Sequence, residues 1–216
     1  MNFNMIKRII LYIIIILFSL PTIGKAKEIF GIGFYLGGQH DVGTLSSYNS
    51  DIQLDPQNNY IVGFSCKVNI ICIFLRTGMD TSFLISDGGV KETSDDIEST
   101  DIQFTTIPFF AGLNFRIHDK GEFYMGAGCA YMLGRGKIET QASSSNEDID
   151  TFIWATGFIA GVGLNISSSA SFYIEWEYLN GKSDSIIQTQ STNDWNNYYI
   201  DFTGHRILLG FMYYLI

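Results

Sequence analysis

A period of two in side-chain size constrains this chain more than any other feature. In residues 172–178, FYIEWEY, Phe172, Ile174, Trp176 and Tyr178 fall on one face and Glu175 and Glu177 on the other. Two is the side-chain repeat of a β-strand. Residues 151–166 repeat the pattern, with Phe152, Trp154, Thr156, Phe158, Ala160, Val162, Leu164 and Ile166 opposite Ile153, Ala155, Gly157, Ile159, Gly161, Gly163 and Asn165. So do Phe30, Ile32, Phe34 and Leu36 against Gly31, Gly33, Tyr35 and Gly37, and Phe123–Leu133 against Tyr124–Gly134. The same parity continues in segments near 59–68, 72–85, 102–116 and 198–215. Eight strands result, each reaching the ~9–11 residues that a tilted membrane strand needs.

The faces decide what surrounds those strands. The bulky face carries almost no charge, while charges share the other face with glycine. A soluble barrel would be filled with apolar groups and wetted outside. Here the pattern is reversed, which suits lipid outside and a narrow lumen of small and polar groups. Only 16% of residues are charged and 15% are aromatic. The expected fold is an all-β, eight-stranded antiparallel up-and-down transmembrane barrel. Connections near 38–58, 69–71, 86–101, 117–122, 135–150, 167–171 and 183–197 alternate long and short. That rhythm puts four long loops, 38–58, 86–101, 135–150 and 183–197, on the outer side.

The N-terminus reads as an export signal. Lys7 and Arg8 precede the apolar run Ile9–Leu20, and Gly24 and Ala26 occupy the small positions before Lys27. The run is shorter than the ~18–20 residues of a spanning helix. Residues 1–26 are therefore expected to be cleaved, leaving 27–216 as the barrel. Losing Lys7, Arg8 and Lys25 takes the formal charge from −9 to −12. Such a charge argues against a nucleic-acid partner. Cys66, Cys72 and Cys129 are an odd, dispersed set and read as small barrel residues, with a Cys66–Cys72 bridge the minor alternative.

Signal, alternation, loop rhythm and the terminal strand RILLGFMYYLI together resemble the OmpA/OmpX-like family of outer-membrane barrels. That family usually ends its last strand in an aromatic residue read by the barrel-assembly machinery. This chain ends in Ile216, after Tyr213 and Tyr214. The resemblance implies a bacterial outer-membrane protein that contacts outer-membrane lipid and the assembly machinery and works as a monomer.

Two groups of residues are candidates for function. Lys67, Arg76, Asp80, Arg116, Glu175, Glu177 and Arg206 all project onto the small-residue face, so a lumen charge network is expected. It reads either as a plug that holds the barrel together or as the gate of a narrow pore. The long connections hold 15 of the 22 acids, among them Asp87, Glu92, Asp95, Asp96, Glu98, Asp101, Glu139, Glu147, Asp148 and Asp150. They read as a solvated rim or as a docking surface for host or environmental proteins. Neither acidic loop has an ordered calcium-ligand spacing, so no metal and no cofactor is expected. His40, Asp80 and Ser82 could imitate a hydrolase set, and His118 and His205 complete the histidines, but no catalytic motif is present. The expected role is structural or adhesive, with a gated pore second and a lipid-modifying enzyme third. The aromatics Phe30, Tyr60, Phe115, Phe123, Trp154, Phe172, Trp176, Tyr178 and Tyr213 fit interface girdles. Pro108 removes a ladder donor, so a bulge is expected near Ile107–Phe109.

Overall fold

A computed structural model of the chain describes residues 29–40, 44–46, 51–53, 59–85, 97–117, 120–140, 143–188 and 199–215. The expected signal segment, 1–26, lies outside them. The strands are β1 (Phe30–His40), β2 (Thr44–Ser46), β3 (Asp51–Gln53), β4 (Asn59–Ile70), β5 (Ile73–Ile85), β6 (Ile97–Ile117), β7 (Gly121–Thr140), β8 (Ser143–Asn165), β9 (Ala170–Gln188) and β10 (Tyr199–Leu215). All pairings are antiparallel. The order β1-β4-β5-β6-β7-β8-β9-β10 closes through β1–β10, from Phe30↔Leu215 to His40↔His205. Closure leaves no strand edge for lipid to face, which is what lets a sheet cross a bilayer.

Alternation sets which face turns outward. Tyr35 is 1% exposed while its neighbours Phe34 and Leu36 are 62% and 58% exposed. Phe158, Ile174, Ile207 and Leu209 join them on the outer wall. From Phe152 to Leu164, β8 presents large or apolar groups outward, interrupted only by the small Thr156 and Ala160. At ~3.3 Å per residue and ~40° tilt, that stretch spans about 30 Å, the thickness of a bilayer core. Aromatic groups gather toward both ends. Phe115 and Phe123 stack at the inner end, and Tyr131 and Trp154 pack at 5.1 Å toward the outer end. Among the described residues no helix is long and apolar enough to cross a membrane. The three cysteines are free thiols, so Cys66 and Cys72 do not pair; Cys66 lies across from Thr77.

At the inner rim the strands meet in tight turns. Backbone hydrogen bonds from Asn69 N to Ile29 O, Asn114 N to Cys72 O and Tyr214 N to Ser169 O, each 2.8 Å, tie that rim together. The β4–β5 turn puts Ile71 at φ 60° with its side chain in the open. A β-branched residue pays about 1–2 kcal/mol for that left-handed backbone. Ile71→Gly or Ile71→Asn is expected to raise the unfolding free energy of the folded barrel by up to about that amount, read as a higher urea midpoint. A lowered midpoint would show that Ile71 makes compensating contacts.

The outer half departs from expectation. β6, β7, β8 and β9 are 21, 20, 23 and 19 residues long, well past what the bilayer requires. The connection expected at 135–150 is instead a continuation of the β7–β8 ladder up to Thr140↔Ser143. Parts of the expected 86–101 and 183–197 loops are likewise strand. Within 38–58, β2 pairs with both β10 and β3, so the first outer connection folds back onto the extended wall. In sequence these extensions carry polar residues at both parities, so they lack the apolar alternation that marks a membrane strand.

Pro108 produces no bulge. The β5–β6 ladder stops after Thr77↔Phe109 and resumes at Asp80↔Thr106 in the same register. On the other side, β6–β7 passes Pro108↔Ala130 without a break. The missing donor therefore loosens one seam and shifts nothing. Register shifts occur instead at Ile97/Ser99, Glu139/Thr140 and Thr151/Ile153, toward the outer ends.

Candidate functional site

The inward face of the barrel is divided into two layers. From the inner rim to mid-height it is ionic. Arg76 Nη1 donates to Glu177 Oε1 at 2.8 Å, and its Nη2 lies 2.7 Å from Glu175 Oε2. Arg206 Nη1 donates to Glu177 Oε2 at 3.1 Å, and its Nη2 lies 2.5 Å from Asp80 Oδ1. Glu177 therefore bridges two guanidiniums. The two Nη2 contacts are close charge contacts, not aligned hydrogen bonds. Both arginines and the three carboxylates they touch are essentially sealed from solvent.

Tyrosines complete this layer. The Tyr35 hydroxyl donates to Asp80 at 2.8 Å and that of Tyr124 to Glu175 at 2.5 Å. Tyr173 Oη and Ser65 Oγ share a 3.2 Å contact. Nearer the inner rim Lys67 pairs with Glu122, with its ammonium 3.6 Å from the Tyr124 ring centre. Glu122 also accepts from Asn114 at 2.7 Å and from Tyr214 at 3.1 Å. Asn114 donates to Asn69 at 3.0 Å. Buried charge is tolerated only when paired in this way.

Outward of the ionic layer the lumen is mostly apolar, with the hydroxyls of Ser82, Thr106, Thr151 and Ser183 among its buried groups. Phe104 and Phe202 meet edge to face at 5.9 Å. Ile61, Met132, Ile153 and Leu179 are each no more than 1% exposed. Among the described residues this layer has no charge with which to replace an ion's hydration, and it lies across the lumen above the ionic one. Among the described residues no group of three or more His, Cys, Asp or Glu could hold a metal.

The expected network residues are thus distributed as follows. Lys67, Arg76, Asp80, Glu175, Glu177 and Arg206 come together in the lumen. Arg116 shares their inward parity but sits half-buried at the inner rim, across from Glu122 in the β6–β7 ladder. Glu122 was missed because 117–122 reads as a turn. The strand begins at Gly121, and Glu122 has the same parity as Tyr124. That parity was the available signal, as it was for Tyr35 and Tyr173.

The acidic surface residues are only partly described. Asp87, Glu92, Asp95 and Asp96 lie outside the described residues. Glu98 and Asp101 stand in β6, Glu139 in β7, and Glu147, Asp148 and Asp150 in β8, so these are strand positions and not loop positions. Asp150 makes an exposed 3.2 Å ion pair with Arg135. Such a surface pair contributes at most about 1 kcal/mol. His118 is outside the described residues. Asp80 and Ser82 are buried in the lumen, whereas His40 and His205 are exposed on the outer wall. The wall separates them, so they do not form a catalytic set.

A closed antiparallel barrel with an apolar outer wall and a polar lumen defines a transmembrane β-barrel of the bacterial outer membrane. The model of the outer membrane protein beta-barrel domain matches residues 13–214, and the chain belongs to that family. Among solved structures, Neisserial surface protein A (NspA) is similar at TM-score 0.54 and 12% identity, covering 86% of this chain and 97% of that one. Outer membrane protein AlkL, solved by solid-state NMR in lipid bilayers, is similar at TM-score 0.55 and 14% identity, covering 89% and 92%. At such identities the likeness is one of fold. A sequence comparison with curated proteins gave no match.

Proposed function

We propose that this barrel is a surface-interaction scaffold whose extended outer rim docks basic protein surfaces of a host or the environment. One observation carries the reading: the lumen is packed, while β6–β9 continue outward well beyond bilayer length. Building strand there has no use for spanning. It does raise a rigid platform above the membrane, the usual way to present a binding segment. The β7–β8 hairpin brings Glu139, Glu147 and Asp148 onto that platform. An acidic platform favours basic partners and gives salt-sensitive association. On this reading the protein acts as a monomer and uses no nucleic acid, metal or catalytic group in its task.

The test is binding of the folded protein to immobilised basic extracellular proteins. A variant with residues 137–148 replaced by a two-residue turn is expected to bind at least tenfold more weakly. Raising the salt should weaken the parent more than the variant. Equal binding by both proteins would remove the docking role from this rim.

A further inference from the structure

The only two histidines whose structure is described face each other across the barrel's closing seam. His40 ends β1, and its register partner in β10 is His205. Both side chains are exposed on the outer wall. Directly opposed residues of an antiparallel pair hold their Cβ atoms ~4.5–5.5 Å apart. Two imidazoles on that spacing, pointing the same way, can converge on one ion.

The surroundings favour this role. The His205 ring lies against Trp176, with centroids 5.7 Å apart and planes 21° apart, and against Tyr178 at 5.0 Å. That packing restricts the imidazole before any ligand arrives and lowers the cost of ordering it. The position also meets water. Outward-facing Leu209 and Ile207 on β10 give way to His205 and then Thr203. On β9, Ile174 and Trp176 give way to Tyr178, Asn180 and Lys182. Asn180 donates to Thr203 at 2.9 Å on this exposed patch. The histidine pair thus stands where the wall changes from apolar to polar.

We propose that His40 and His205 form a two-imidazole site for a borderline divalent transition-metal cation, with water filling its other positions. Imidazole selects this class over hard cations, and Cu2+ should bind more tightly than Ni2+ or Zn2+. Calcium and magnesium, which need oxygen ligands, should not compete. The site is independent of the docking role of the rim.

Trp176 supplies the readout, because a paramagnetic ion on His205 quenches an indole this close. Cu2+ is titrated into the folded, untagged barrel in detergent, and folding of every variant is checked by its heat-dependent gel shift. Saturable quenching, reversed by a chelator, is expected, with no response to Ca2+. His40→Ala and His205→Ala should each weaken binding at least tenfold, while His118→Ala should leave it unchanged. Trp176→Phe should remove most of the quenching. Quenching that fails to saturate, or a His40→Ala protein that binds as the parent does, would overturn the two-histidine site.

Discussion

Glu177→Ala is expected to destabilise the folded barrel by about 3–5 kcal/mol, the cost of removing one partner from a buried ion pair. Both arginines depend on this carboxylate. Its two oxygens accept separately from Arg76 and Arg206, at 2.8 and 3.1 Å. Without it, Arg76 is left to Glu175 and Arg206 to Asp80, while the lumen allows neither guanidinium to reach bulk water. The loss evens the count of buried charges but removes the acid that both guanidiniums share. Among the buried residues Lys67, Arg76 and Arg206 face Asp80, Glu122, Glu175 and Glu177, and the loss falls at the most connected acid. Equilibrium urea unfolding in detergent micelles or vesicles measures the effect. Glu177→Gln, which keeps volume and one acceptor, should fall between parent and alanine variant. Added salt should not rescue either, because ions screen buried pairs poorly. A loss below about 1 kcal/mol would mean that the network contributes little to holding the wall together.

Gly161→Val should be nearly as damaging, for a steric reason. The Tyr124 ring lies directly on Gly161, and a Cβ there would overlap the ring. The ring cannot simply rotate away. Its hydroxyl is committed to Glu175, and its face carries the Lys67 ammonium. Overpacking alone costs about 1–3 kcal/mol, and displacing Tyr124 adds the loss of a charge-assisted hydrogen bond, about 1.5–3 kcal/mol. The double variant Gly161→Val/Tyr124→Phe should remain impaired, and Gly161→Val/Tyr124→Leu should recover part of the loss by freeing space. No recovery in the second protein would place the strain elsewhere.

The parts of this structure that were legible in the sequence are those where the bilayer imposes a rule. Lipid on one face and a narrow lumen on the other force alternation, so the FYIEWEY segment alone gives the direction of the side chains in β9 from Ser171 to Ser183. The lumen network followed from the same parity. Reading stopped where that rule stops. Outside the membrane, the sequence of β7 and β8 carries polar residues at both parities, and nothing in RGKIETQASSSNEDID separates a strand from a loop. Glu122 was lost for a similar reason, since HDKGE reads as a polar turn although its last residue is the first inward one of a strand. Pro108 leaves the register of both ladders unchanged. A missing N–H removes bonds toward β5, yet the intact β7 side holds the register. The histidine pair could not be seen at all, because His40 and His205 become neighbours only when the first and last strands close the barrel.

A lumen packed from its inner rim to its outer aromatic pair should not conduct ions. Planar-bilayer recording of the purified, folded protein tests this most directly. A quiet membrane with no discrete openings across the voltage range is expected, because Phe104, Phe202 and their apolar neighbours lie above a buried ion-paired layer. Reproducible unitary openings in the parent protein, altered by Glu177→Gln or Phe202→Ala, would contradict it and make the lumen a gated pore.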